Sequence, residues 1–145
     1  MLSIERKGMQ SEVLILDSNI WISYVITKQL QTLVAIIHNH KLTVLTSEQL
    51  VTEIQEVLSR PKFKKYIKHS DIKEVITLHL KLCRFVSMEE TTNQLSDAKD
   101  NFLLNLYNEG KATILVSGDK ELLREAGELD YRVMTLREFE LSYSL

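Results

Sequence analysis

Three apolar stretches in this chain each end in a polar cluster that contains an acid, and this arrangement constrains the fold more than any other feature. Val13–Leu16 runs into Asp17, Leu42–Thr46 into Ser47-Glu48, and Thr113–Val116 into Ser117-Gly118-Asp119. A short, continuous apolar run has no polar face, so as a strand it has to be covered on both sides. That is the condition inside a parallel α/β sheet. Arg84–Val86 and Arg132–Leu136 are weaker strand candidates.

Helical patterns fill the gaps. Ile20–Leu30 and Gln31–His40 read as one helix or a broken pair. In Gln49–Ser59 the spacing of Leu50, Val51, Ile54, Val57 and Leu58 is that of an amphipathic helix, interrupted at Ser59-Arg60-Pro61. Asp71–Leu82 and Ala98–Asn108 follow, the latter stopped by Gly110, and Glu89–Asp97 is the longest polar loop. Strands alternating with helices predict an α/β fold of three layers, α/β/α, with a mostly parallel twisted central sheet. In such sheets ligands bind beyond the carboxyl ends of the strands, where these acids stand.

The chain has 145 residues, so one domain over 1–145 is expected, with a short flexible lead at 1–11. A net charge of -2 supplies no global basic field for gripping nucleic acid, but leaves room for a protein that recruits cations to carboxylates. The single cysteine, Cys83, excludes an intrachain disulfide framework and a cysteine zinc cluster; among Leu80, Leu82 and Phe85 it reads as a packed thiol. Met1–Gln10 carries Glu5, Arg6 and Lys7 and lacks a leader's apolar region, and no apolar run is long enough to cross a membrane. A soluble cytoplasmic protein is expected.

Each acid has two readings. Asp17 is delivered to the ligand crevice by its strand or simply caps the next helix, a task that Asn19 can also perform. Glu53 falls about 100° from the centre of its helix's apolar stripe, against about 120° for Glu48 and about 160° for Glu56. It is therefore nearest the buried border, and reads equally as a solvated helical Glu. Asp97 suits the N-cap of the Ala98–Asn108 helix, accepting the backbone N–H of Asp100. Asp100 shares the apolar side of Leu103, Leu104 and Tyr107, where a carboxylate has to be paired, protonated or metal-bound; stabilisation by the helix dipole is the alternative. Asp119 follows its strand through Gly118, which permits a tight turn, and it too can be a cap, for a short Lys120–Arg124 helix. Several carboxylates in one pocket repel one another unless a cation neutralises them. Oxygen-only ligands favour Mg2+ or Mn2+, and metal-dependent phosphoryl hydrolysis is the chemistry that such a site serves.

Four blocks resemble the PIN-domain family, in order, over about residues 12 to 140. They are Val13–Ile20, with its strand ending in Asp17-Ser18-Asn19, then Ser47-Glu48 through Glu53 to Phe63, Asp97–Asn101, and Val116–Leu123. The second block is similar to that of toxin components of type II, VapC-like toxin–antitoxin systems. The resemblance implies a PIN-like α/β/α nuclease domain that cleaves RNA with Mg2+ or Mn2+. Asp17, Glu53, Asp100 and Asp119 match the family's acids. Asp97, Asn19 and Ser117 match supporting positions. Asp17 and Asp100 would be the principal metal ligands, with Glu53 and Asp119 completing the site directly or through water. A cognate antitoxin and a homodimer are the implied partners, beside the RNA substrate. Ser18, Trp21 and Ala98 depart from the usual residues, and none of these departures removes an acid.

One basic cluster stands apart: Arg60, Lys62, Lys64, Lys65, Lys68 and His69, with Phe63 and Tyr66 interleaved. It suits RNA contact, with phosphates on the cations and bases on the rings, or it is a solvated helix whose aromatics pack inward. His38, His40, His69 and His79 show no ligand spacing with the acids and are expected at the surface or partly packed. The rival reading of the whole is a non-catalytic PIN-like module that binds RNA or protein.

Overall fold

The computed structural model describes residues 12–89 and 94–144. The expected N-terminal lead and part of the Glu89–Asp97 loop lie outside the described residues. Within them the strands are β1 (Val13–Leu16), β2 (Thr43–Thr46), β3 (Arg84–Phe85), β4 (Ile114–Val116) and β5 (Val133–Met134). Every pairing is parallel, in the order β3-β2-β1-β4-β5. The helices are α1 (Ser18–Ile26), α2 (Leu30–Asn39), α3 (Glu48–Leu58), α4 (His69–Leu82), α5 (Asn101–Glu109), α6 (Lys120–Glu128) and α7 (Leu136–Ser142). They flank the sheet in the three-layer α/β/α arrangement expected from the alternation.

The apolar runs are central because of their composition. Leu14, Ile15 and Leu16 of β1 and Ile114, Leu115 and Val116 of β4 are completely buried, and the two strands pair in register from Leu14–Ile114 to Leu16–Val116. At roughly 25 cal/mol per Å2 of apolar area, such double-sided burial outweighs any local preference of these segments.

Several boundaries differ from the sequence expectation for local reasons. The segment after Asp17 is a broken pair of helices, and Lys28 at the break has φ 62. The helix expected at Ala98 opens as a 3-10 turn over Ala98–Asp100 before α5 begins. Gly110 ends α5 with φ -83, outside the left-handed region, and Lys111 takes that conformation instead (φ 55). Closeness favours glycine at 110: a Cβ there would run into the end of the Leu45 side chain and lie 2.9 Å from the Leu106 carbonyl oxygen. The strand expected over Arg132–Leu136 is short, because Thr135 and Glu138 form a capping box that starts α7.

His79 is fully buried rather than at the surface. Its ring packs edge-on against Trp21 with centroids 4.3 Å apart, and Nε2 lies 2.7 Å from Thr46 Oγ1. Burial holds its pKa down at about 4, so it is a neutral core residue. Cys83 packs against the core as expected, and burial pushes its thiol up to about 12.

Candidate active site

In the strand order the sheet reverses direction between β1 and β4, because the chain leaving β1 builds β2 and β3 on one side and the chain leaving β4 builds β5 on the other. Crossovers that diverge in this way open a crevice at the carboxyl ends of the two strands. Asp17 follows β1 into that crevice, and Ser117-Gly118-Asp119 follows β4.

Asp17 is only 5% exposed and is held on all sides. Its Oδ1 accepts the Ser18 backbone N–H at 2.7 Å. Its Oδ2 accepts the hydroxyl of Ser117 at 2.7 Å and the side-chain amide of Asn19 at 3.1 Å. Asn19 caps nothing. It bridges the two strand ends, since its Oδ1 accepts the Gly118 N–H at 3.0 Å. No glycine here is left-handed, so the tight turn does not depend on unusual backbone at Gly118; the N–H contact to Asn19 fixes it. Ser117 is fully buried and also accepts the Asp119 N–H at 3.0 Å.

Asp119 is exposed and does serve as a cap: Oδ1 accepts the N–H groups of Glu121 (3.0 Å) and Leu122 (3.2 Å) at the start of α6. Glu53 is half-buried while Glu48 and Glu56 are exposed, the ranking set by the helical wheel. The Ser18 hydroxyl donates to Glu53 Oε2 and lies 3.5 Å from Asp17 Oδ1, so it links these two acids. Ser18 was not singled out from sequence. Its place directly after the strand-end acid, inside the Asp17-Ser18-Asn19 block, is the signal that points to it.

Asp97 and Asp100 arrive from the 3-10 turn that leads into α5, a helix packed against β1. Asp97 is exposed and caps the turn through the N–H of Lys99 at 3.3 Å rather than that of Asp100. Asp100 is half-buried, and among the described residues its carboxylate accepts no hydrogen bond.

The charges of these acids act on Asp17 and Asp100. Burial raises the pKa of Asp17; the hydrogen bonds from Ser117 and Ser18 oppose that, and the charges of Glu53 and Asp119 add to it. Asp100 is pushed up to about 6, chiefly by burial and then by repulsion from Asp17, Asp97, Asp119 and Glu53. Every expected acid is therefore close enough to act on Asp100.

Among the described residues no three His, Cys, Asp or Glu side chains already enclose a cation position. A Mg2+-type site does not require it, since that ion is held through one or two carboxylates and keeps several waters. The all-oxygen donor set suits it, and Asp100, uncompensated and repelled by its neighbours, is the group a cation would relieve. Beside the acids opens a cleft of about 680 Å3 between the start of α3, the segment after β3 and the first turns of α5. Lys99 and Asn101 line it on either side of Asp100, but none of the acids Asp17, Glu53, Asp100 and Asp119 does.

The sequence profile of the PIN domain matches residues 13–121. The chain belongs to the PIN-domain family. No match is found among curated proteins. Among solved structures, the PIN-domain fold of this chain is similar to PAE2754 from Pyrobaculum aerophilum, with a TM-score of 0.61, 14% identity, and coverage of 96% of this chain and 94% of that one. It is also similar to a chain in the structure of VapBC2 from Rickettsia felis bound to a DNA fragment from their promoter. There the TM-score is 0.57 at 15% identity, covering 85% of this chain and 98% of that one. At such identities the likeness concerns the fold.

The basic cluster of this PIN domain lies elsewhere. Lys28, just past the far end of α1, donates to the Tyr66 carbonyl at 2.8 Å, whereas the acids gather at the Ser18 end. The nine residues of α1 separate the two by roughly 13 Å. The segment is not a helix beyond a 3-10 turn at Pro61–Phe63. Phe63 packs against the core, whereas Arg60, Lys62, Lys64, Lys65 and Lys68 are exposed, with Lys62 over the Phe63 ring and Lys65 over that of Tyr66. Among the described residues no helix is long and apolar enough to cross a membrane.

Proposed function

We propose that this PIN-domain protein is a Mg2+- or Mn2+-dependent endoribonuclease, acting as the toxin of a toxin–antitoxin pair. The observation that carries the reading is the state of Asp100: half-buried, accepting no hydrogen bond among the described residues, and raised first by burial and then by the charges of Asp17, Asp97, Asp119 and Glu53. A carboxylate so placed costs the fold stability unless a cation offsets it.

Asp17 and Asp100 would hold the cation, with Glu53 and Asp119 completing its surroundings. When bound, a divalent ion supplies Lewis acidity toward a phosphodiester and charge stabilisation as the bond breaks. The remaining tasks fall to this chain's own groups. Ser117, Asn19 and the Ser18 N–H fix the two Asp17 oxygens in position. The Ser18 hydroxyl holds Glu53 toward the same point. The N-terminus of α6 takes one oxygen of Asp119 and leaves Oδ2 without a hydrogen bond among the described residues.

The toxin assignment draws on the similarity to a chain of VapBC2, a pair crystallised together on promoter DNA. An antitoxin partner and a homodimer are proposals on the same footing, as are a cytoplasmic setting and phosphate contact by the basic cluster. The test is cleavage of mixed single-stranded and structured RNAs with Mn2+ or Mg2+. The wild type should cut, and chelation, Asp17→Asn and Asp100→Asn should each abolish cutting while circular dichroism stays native. Full activity in either variant would overturn the assignment. RNA or protein binding without any cleavage would favour the non-catalytic module instead.

A further inference from the structure

The cleft beside the acids contains a polar group that neither the fold nor the proposed chemistry uses. Asn105 lies on α5, five positions beyond Asp100, which precedes that helix as its N-cap residue. It is only 7% exposed and lines the cleft. Among the described residues its side-chain amide has no hydrogen-bond partner, yet neither amide atom is sealed from solvent. Asn105 is among the residues that line the cleft, so the amide is available to an occupant of it. A largely desolvated amide without a partner is a cost to the fold that an alanine or leucine would avoid. Asn101, on the same wall, makes the contrast. Its amide is consumed internally, accepting the Leu95 N–H at 2.9 Å and donating to the Ala98 carbonyl at 3.2 Å.

The surroundings define what the amide would meet. Phe85 at the end of β3 is 52% exposed, and with Val86, Met88 and Phe102 it gives the cleft an apolar side. The charged residues on the lining are Glu48 and Glu89 against Lys99, a balance that disfavours a phosphate and suits a neutral ring. At about 680 Å3 the space lies within the roughly 300–1,000 Å3 of small-ligand clefts. An Asn amide presents a donor and an acceptor side by side, which matches the edge of a nucleobase. Bases of single-stranded RNA expose that edge and stack on aromatic rings.

We propose that this cleft is a nucleobase subsite, in which Asn105 reads the edge of a base flanking the scissile phosphate while Phe85 offers a stacking face. The subsite rests on the reading of the chain as an RNA-cleaving enzyme. It adds to that reading a residue that sets sequence preference.

The test uses a pool of short single-stranded RNAs of randomised sequence, cut by the full chain with Mn2+ and sequenced at the new ends. The wild type should prefer one base within two nucleotides of the cut. Asn105→Leu should flatten that preference by at least about five-fold, the low end of what one bidentate contact discriminates. Asn105→Asp, which keeps an acceptor and loses the donor, should move the preference to a different base. Preference absent in the wild type, or unchanged in both variants, overturns the subsite while leaving the nuclease reading intact. A second arm follows binding of homopolymeric RNA oligonucleotides to Asp100→Asn by fluorescence anisotropy. If nothing is cleaved but binding shows a base preference that Asn105→Leu erases, the subsite stands and the nuclease reading falls. Neither cleavage nor binding overturns both.

Discussion

The two walls of the acidic crevice are built in opposite ways. On the β1/β4 wall Asp17 is almost sealed, and Ser18, Asn19 and Ser117 hydrogen-bond both of its oxygens. On the α5 wall Asp100 is half-buried, accepts no hydrogen bond among the described residues and is held up at about 6. One acid is oriented in advance by the protein, and the other is left with its charge unmet. Under the proposed function, the fixed acid would supply the geometry for a cation and the uncompensated one the driving force for its capture.

The largest effects expected are on cleavage. Asp17→Asn and Asp100→Asn should each lower Mn2+-dependent RNA cutting by more than about 100-fold, beyond the loss typical for a residue that merely supports a ligand. Ser117→Ala comes next. It removes a hydrogen bond that orients Asp17, so activity or metal affinity should fall by roughly 10- to 100-fold, with the larger part recovered at high Mn2+. Equal activity for Ser117→Ala and wild type would show that the Asp17 wall needs no such support.

Stability separates the walls further. In the metal-free protein Asp100 titrates at about 6, against about 3.9 in an unfolded chain. Between those values the folded state holds more protons, so its stability falls as pH rises through that window. Asp100→Asn should therefore raise the unfolding free energy at pH 7 by about 1 kcal/mol after discounting for the solvent around a half-exposed group, read as a higher thermal midpoint, and the gain should vanish below about pH 4. Asp17→Asn should bring no such gain, because an amide NH2 would face the N–H of Ser18 or Asn19. Identical shifts in the two variants would erase the contrast. The smallest effect belongs to Lys64→Ala/Lys65→Ala. Placed near the far end of α1, the pair should weaken RNA binding only at low salt, by a few-fold.

How much of this was legible in the sequence depended on which force fixed each feature. Uninterrupted apolar runs such as Leu14–Leu16 and Ile114–Val116 have no alternative to burial on both faces, so the parallel sheet and its acid-bearing ends could be read directly. Glu53 was placed at the buried border by helical periodicity alone. Asp100 is marked by its apolar neighbours Leu103, Leu104 and Tyr107. The capping geometry was less accessible. Of the two caps offered for α1, Asp17 takes the position and Asn19 does not, and Asp97 reaches Lys99 rather than Asp100, because a 3-10 start shortens the span by one residue. Ser18, His79 and Asn105 take their roles from partners distant in the chain, or from the lack of any. No local pattern encodes such partners: the Ser18–Glu53 link spans 35 positions and the Thr46–His79 contact 33.

That the two walls form one cation site is tested most directly by calorimetric titration of Mn2+ into the metal-free chain and into Asp17→Asn and Asp100→Asn. Saturable binding by the wild type, weakened by at least about 100-fold in each variant, is the predicted result. Binding of wild-type strength in either variant would contradict it.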